Sequence, residues 1–224
     1  MREVRPFIDL ISDSTAEGDG KFFHLKGNLG KKMVRIVRTP EGGKQEISPL
    51  IKSSLSAISA GICGGLVPHL KTGDVVLSTE VFYSEEKDPD SILDRAKPAL
   101  QMLETGTGSR VYNKLKKELK NEPFSINTGP TVTLGFALPD KKRKKVINRI
   151  TGALSVDMED FHRLSAAREQ GTPFLSVRAV FDELDDEILP WKGRIPPSHK
   201  EKLTRAVESL TVVLKSIIEG SEFI

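Results

Sequence analysis

From about residue 50 to its end, this chain alternates short apolar segments with helical ones, and that alternation limits its fold more than any other feature. Ala57 to Gly61 reads as a short buried strand, ended by the glycine turn Cys63-Gly64-Gly65-Leu66. Asp74 to Tyr83 reads as a strand through Val75, Val76, Val81, Phe82 and Tyr83. Ser84 to Asp90 is polar, contains Pro89 and reads as a loop. Ser91 to Leu119 carries apolar residues at helical spacing, broken by the glycines between Thr105 and Gly108. Phe124 to Leu138 reads as extended. Asp140 to Ile150 reads as a helix capped by Asp140 and ended by Gly152.

The pattern then repeats. Ser155 to Met158 is a short strand feeding a helix from Glu159 to Gln170, closed by Gly171, and Pro173 to Phe181 is a buried strand. A proline-rich linker, Pro190 to Pro197, precedes a final helix from Lys200 to Glu219, with Leu203, Val207, Leu210, Val213, Leu214 and Ile217 on one face. Strands alternating with helices predict an α/β sheet with helices on its faces. Internal repeats and low-complexity stretches are absent, and one domain over residues 1–224 is expected. The first fifty residues fit less well: Glu3 to Ile11 reads as a helix, with Phe22 to Leu29 and Lys32 to Thr39 as two strands joined by Asn28-Leu29-Gly30.

Composition removes several function classes. Nothing approaches the roughly 18 uninterrupted apolar residues of a membrane helix. Met1 to Asp9 is charged and does not resemble a secretory signal, so the cytoplasm is the expected compartment. The net charge is +3. The basic clusters at Lys31 to Arg38, Lys114 to Lys120 and Lys141 to Lys145 read as solvated surface, because aromatics to stack on bases make up only 6% of the chain. No nucleic-acid partner is expected. Cys63 is the single cysteine, which excludes an internal disulfide. The four histidines show no metal-ligand spacing, and neither a metal nor a cofactor is expected.

Three segments carry the chemistry: Ala60 to Val76, Ser155 to Asp160, and Pro173 to Asp182. Each places polar groups at the end of a strand, the edge where ligands bind in open α/β sheets. Gly64 and Gly65 let a ligand approach the backbone. Glu159 and Asp182 each follow an apolar strand and are expected at the same sheet edge, where two carboxylates can divide protonated and ionised roles. Singly, each feature has a plainer origin. A glycine pair makes a turn, a glutamate favours a helix start, and Asp182 opens the acidic run Asp182, Glu183, Asp185, Asp186, Glu187.

Jointly, the order Ala-Gly-x-x-Gly-Gly-Leu-x-Pro-x-Leu-x-x-Gly-Asp-Val-Val, then Val-Asp-Met-Glu, then Pro-Phe-x-x-x-Arg-x-x-x-Asp resembles the nucleoside phosphorylase and 5'-methylthioadenosine/S-adenosylhomocysteine nucleosidase superfamily, over roughly residues 55 to 190. The resemblance implies a three-layer α/β fold with a central mixed sheet flanked by helices, and a homo-oligomer acting on a small-molecule purine nucleoside. It implies that Glu159 grips the ribose hydroxyls, Met158 packs beneath the sugar, and Asp182 protonates the departing purine near N7. Gly61, Ile62, Cys63, Gly64 and Gly65 would border the nucleophile and sugar, and Phe136 would lie against the base. Glu3 would match the glutamate that activates the attacking water, with the usual first strand missing ahead of it.

The departures from the family pattern bear on the acceptor. Ile62 stands where phosphorylases place a hydroxyl residue, and an N-terminal glycine-rich arginine segment for phosphate is not evident, which favours hydrolysis. Phe181 replaces a serine often found before the aspartate. Val-Asp-Met-Glu with an apolar residue at 62 looks most like the hopanoid-associated branch, which acts on an adenosyl group attached to a hydrophobic chain. The expectation is a purine nucleosidase cleaving a 5'-substituted adenosine of the methylthioadenosine, adenosylhomocysteine or adenosylhopane type. The alternatives are a phosphate-dependent phosphorylase and an inactive, ligand-binding descendant of the fold.

Overall fold

The computed structural model describes residues 5–18, 23–39, 48–52, 54–86, 90–91, 100–187 and 197–220. Nine strands are described: β1 (Ser12–Gly18), β2 (Phe23–Leu29), β3 (Lys32–Arg38), β4 (Ala57–Gly65), β5 (Val75–Ser84), β6 (Leu100–Glu104), β7 (Ile126–Thr133), β8 (Ser155–Asp157) and β9 (Phe174–Asp182). Six helices accompany them: α1 (Arg5–Ile8), α2 (Ser48–Ile51), α3 (Gly108–Glu118), α4 (Lys141–Thr151), α5 (Asp160–Glu169) and α6 (Pro197–Glu219).

The first three strands form a small antiparallel sheet, and the others form a mixed six-stranded sheet in the order β6-β5-β7-β8-β4-β9. The large sheet closes on itself, because β9 also pairs antiparallel with β5 through Val75↔Ala179, Val76↔Arg178 and Leu77↔Val177. Every residue of β9 is buried, which explains its unbroken apolar reading. One side of the sheet packs on α6 through Ala206, Leu210, Val213, Leu214 and Ile217. The same cluster takes in Phe7, Ile11, Leu25 and Leu29, so the small sheet and the large one share it. The opposite side packs on α5 through Phe161, Leu164, Ala166 and Ala167. This is the expected mixed sheet between helices.

Several local expectations are corrected. The Cys63-Gly64-Gly65 stretch is not a turn: β4 runs on to Gly65, because Gly64 and Gly65 pair with Val156 and Ser155 of β8, and the irregularity appears only as a register shift at Cys63/Gly64. Of the helical stretch expected across Ser91 to Leu119, the part after the glycine break is the helix α3, whereas Leu100–Glu104 before it is a strand, β6, on the edge of β5, and residues 92–99 lie outside the described residues. Among the described residues the N-terminal helix covers only Arg5–Ile8 and stops short of Ile11, and β1 follows it. The Pro190 linker lies almost wholly outside the described residues. The caps of α4 stand as expected: the Asp140 carboxylate accepts from the Arg143 N–H at 3.0 Å, and Gly152 takes the left-handed φ of 69°.

Candidate active site

β4 is the spine of the site. Gly64 pairs with Val156 on one side and with Asp182 on the other. The ends of β8 and β9 therefore meet across one glycine, and the Asp182 carboxyl lies against it. A Cβ built on Gly64 would come within 2.9 Å of Asp182 Oδ2 and 3.1 Å of Val156 Cγ1. Glycine at 64 thus makes room for the carboxyl.

Asp182 is 5% exposed. Its neighbour is a lysine that the sequence reading placed on a solvated face: Lys144 is 0% exposed, and its Nζ donates to Asp182 Oδ2 at 2.6 Å. The same Nζ donates to the carbonyls of Glu183 and Asp186. Burial pushes the Asp182 carboxyl above the usual carboxylate range, against the opposing pull of Lys144. Three other members of the acidic run pair with other cations: Glu183 with Lys71, Asp185 with Lys141 and Asp186 with Lys202. A signal for Lys144 was present, since residues 144, 147 and 151 form the buried face of α4 at helical spacing.

Glu159 sits at the start of α5, directly after β8, and its Oε2 lies 3.8 Å from Nη1 of Arg178. Met158 beside it is half-buried. Arg178 comes from the middle of β9 and is 2% exposed. Its Nε donates to Asp160 Oδ2 at 2.8 Å, and its Nη2 donates to Asp160 Oδ1 and to Ser59 Oγ, the latter at 3.1 Å. Asp157 Oδ2 lies 3.0 Å from Nε, a charge contact that lacks hydrogen-bond alignment. Its Oδ1 accepts from Thr133 Oγ1 at 2.6 Å and from the backbone N–H groups of Glu159 and Asp160. A second guanidinium, Arg163, donates to Ser59 Oγ at 2.9 Å and to Thr39 Oγ1.

The two aspartates respond in opposite ways. Burial, then the Asp160 charge, pushes the Asp157 carboxyl well above its usual range. Burial also opposes ionisation of Asp160, but the charge and hydrogen bonds of Arg178, with Asp157 and Ser176, hold it well below. Asp157, Asp160 and Arg178 were not read as site residues from the sequence, although all three lie within the segments singled out.

Gly61 pairs with Arg178, and a Cβ there would lie 2.2 Å from Arg178 Nη1. The guanidinium is pinned by its carboxylates and has little freedom to withdraw. Gly61→Ala is expected to destabilise the fold by about 1–3 kcal/mol, read as a lower urea midpoint with an unchanged slope.

The other expected residues divide. Ile62 packs with Ile58 and Ala60 against the apolar cluster shared by α1 and α6. Phe136 is half-buried on the cluster of Leu66, Leu134, Ile147 and Val156, next to the β8 segment that flanks Gly64. Cys63 is buried, and burial pushes its thiol well above the usual range, so it is not poised as a nucleophile. Glu3 lies outside the described residues. No helix among the described residues is long and apolar enough to cross a membrane, and they contain no metal-holding cluster of His, Cys, Asp and Glu.

A family model described as the phosphorylase superfamily matches residues 2–219. The chain belongs to the phosphorylase superfamily. Within it, the chain is 23% identical over 176 residues to a 5'-methylthioadenosine/S-adenosylhomocysteine nucleosidase from an Exiguobacterium species, covering 74% of each. Its fold is similar to that of the Neisseria meningitidis nucleosidase of the same name, solved with methylthio-immucillin-A. The TM-score is 0.77 at 20% identity, over 97% of this chain and 94% of that one. It is also similar to futalosine hydrolase of Helicobacter pylori, with a TM-score of 0.78 at 18% identity, over 97% and 93%. These likenesses stop at the level of the superfamily of nucleoside phosphorylases and nucleosidases, and carry nothing that marks the hopanoid-associated branch.

Proposed function

We propose that this superfamily member is a purine nucleosidase that hydrolyses the N-glycosidic bond of a 5'-substituted adenosine, with methylthioadenosine and adenosylhomocysteine as first candidates. The observation that carries the reading is the Asp182 carboxyl, buried against Gly64 at the end of β9, with burial raising its affinity for a proton. A carboxyl whose affinity for a proton is raised by burial suits a general acid. Delivered to purine N7, that proton lets the base leave neutral while the ribose takes up positive charge. Glu159 holds the ribose hydroxyls, with Met158 beneath the sugar, Phe136 against the base and Gly61 to Gly65 along the sugar edge. Glu3 is the proposed base for the attacking water.

Water is preferred over phosphate as acceptor for a local reason. Arg178 directs Nε and Nη2 to Asp160 and Ser59, and its Nη1 lies 3.8 Å from Glu159 Oε2, so carboxylates already surround the guanidinium and disfavour an incoming anion. The three relatives above are themselves named as two nucleosidases and a hydrolase.

The test is release of free base from methylthioadenosine and adenosylhomocysteine, with and without inorganic phosphate, with separation of ribose from ribose 1-phosphate. Base release that ignores phosphate is the expected result. Release that requires phosphate would replace hydrolysis with phosphorolysis. Binding without release would mark a ligand-binding descendant of the fold.

A further inference from the structure

Lys144 is a fully buried charge that the proposed reaction has not yet used. At 0% exposure, a lysine gives up its hydration, and α4 would be simpler to pack with a leucine there. Its ammonium is instead met by three oxygens: Asp182 Oδ2 at 2.6 Å, the Asp186 carbonyl at 3.2 Å and the Glu183 carbonyl. The two carbonyls belong to the chain immediately after β9, so one side chain from α4 ties down both the Asp182 carboxyl and the backbone that follows it.

The geometry points to Lys144 as the positioning residue of the general acid: it fixes Asp182 Oδ2, leaves Oδ1 to meet the purine, and stabilises the carboxylate that appears when the proton is given up. This role rests on the nucleosidase reading above. The proton balance shows where the help falls. The Oδ1–H bond breaks as H–N7 forms, and the electron pair of C1'–N9 passes into the purine ring. Hydroxide from water bonds to C1', with water's other proton going to the base. Asp182 ends the step as an anion in a site that burial has made hostile to anions. The charge of Lys144, 2.6 Å away, is worth most at that moment.

The effect belongs to the transition state and not to the ground state, because protonated Asp182 carries no charge for the ammonium to attract. Removing Lys144 is therefore expected to lower kcat more than it raises KM. The groups that face Asp182 are Lys144 from α4, Asp186 from the turn after β9 and the Cys63 thiol from β4, while β8 presents Val156. Of these, Lys144 is the cation and holds the acid's affinity for protons down; without it that affinity rises further. A weaker acid keeps its proton to higher pH but delivers it less readily.

The experiment compares kcat and KM across pH for the full chain, for Lys144→Met, Lys144→Gln and Lys144→Arg, and for Lys141→Met as a control on the exposed side of the same helix. Lys144→Met and Lys144→Gln are expected to lose about 10- to 10²-fold in kcat, the range for losing a hydrogen bond to a charged group. The alkaline limb of their kcat profile is expected to move upward by about one pH unit or more. Lys144→Arg, which keeps the charge, is expected to hold the limb near its original position, and Lys141→Met to change neither quantity. Should Lys144→Met fail to fold, Lys144→Gln keeps a donor in the same place and carries the same comparison. A limb that stays in place in both neutral variants, or moves as far in Lys144→Arg, would overturn the role and leave Lys144 as a structural pin. Absence of base release by the unaltered chain would instead sink the nucleosidase reading, and this role with it.

Discussion

Asp182→Asn is expected to fold and bind nucleoside, yet to lose at least about 10²-fold in kcat, within the 10²–10⁴-fold that a positioned general acid supplies. The replacement is close to isosteric, and Gly64 leaves room for it as it does for the carboxyl. The amide oxygen can still accept from Lys144, which also keeps the carbonyls of Glu183 and Asp186. The amide N–H can still donate to N7, so much of the ground-state contact survives and KM should move little. What the amide cannot do is hand over a proton, and the purine must then depart as an anion.

Two further readouts follow from that chemistry. The unaltered chain is expected to lose kcat as pH rises past the point where Asp182 gives up its proton. Burial raises that point, and Lys144 draws it partly back. Asp182→Asn has no proton to lose and should show no such limb. A riboside whose leaving group departs without protonation, such as p-nitrophenol, should be cleaved by Asp182→Asn nearly as well as by the unaltered chain. An equal loss on both substrates would mean that Asp182 holds the site together and does not act as an acid.

The sequence made some of this legible and concealed the rest, for physical reasons. β5, β9 and the helices with marked ends were readable because their signals are local: β-branched runs, the Asp140 cap and the Gly152 stop. β6 was misread because Leu-Gln-Met-Leu-Glu favours a helix, and only its pairing with β5 makes it a strand. β1, with its polar Ser-Asp-Ser-Thr-Ala-Glu-Gly, has no alternation to show and owes its form to β2. Closure of the large sheet depends on Val75 to Leu77 meeting Val177 to Ala179, about a hundred positions apart in the chain, and no local pattern announces it. At the site, Asp182 and Glu159 stood out because each carboxyl comes where an apolar strand gives out, Asp182 as the last residue of β9 and Glu159 at the helix start after β8. Lys144 was hidden by its lysine-rich surroundings, and only its spacing with Ile147 and Thr151 on the buried face of α4 sets it apart.

Arg178→Leu is expected to cost about 3–5 kcal/mol of stability near neutral pH, the range for breaking a buried ion pair by removing one partner. The reasoning starts from what stays behind. Asp160 is 0% exposed and Asp157 5%, and both face the guanidinium; without it two carboxyls sit together in the interior. Arg163 remains on Ser59 and Thr39 and softens the loss, but no ion pair joins it to either aspartate among the described residues. The pH dependence has a definite sign. In the unaltered chain Asp160 is held well below its unfolded value of roughly 3.9, so its contribution is present above that value and fades as pH falls toward the depressed one. In the variant the charge and hydrogen bonds of Arg178 are gone, burial is opposed only by the hydrogen bonds of Asp157 and Ser176, and protonation relieves the cost. The gap between the two proteins should therefore be widest near neutrality and narrow as the solution is acidified, in urea unfolding followed from pH 7 toward pH 4. Glu159 adds a functional echo: with Nη1 gone from 3.8 Å away, its carboxylate is less well aimed, and KM for the nucleoside should rise. A gap that stayed constant across that pH range would show that Arg178 acts through packing and not through the charges of Asp157 and Asp160.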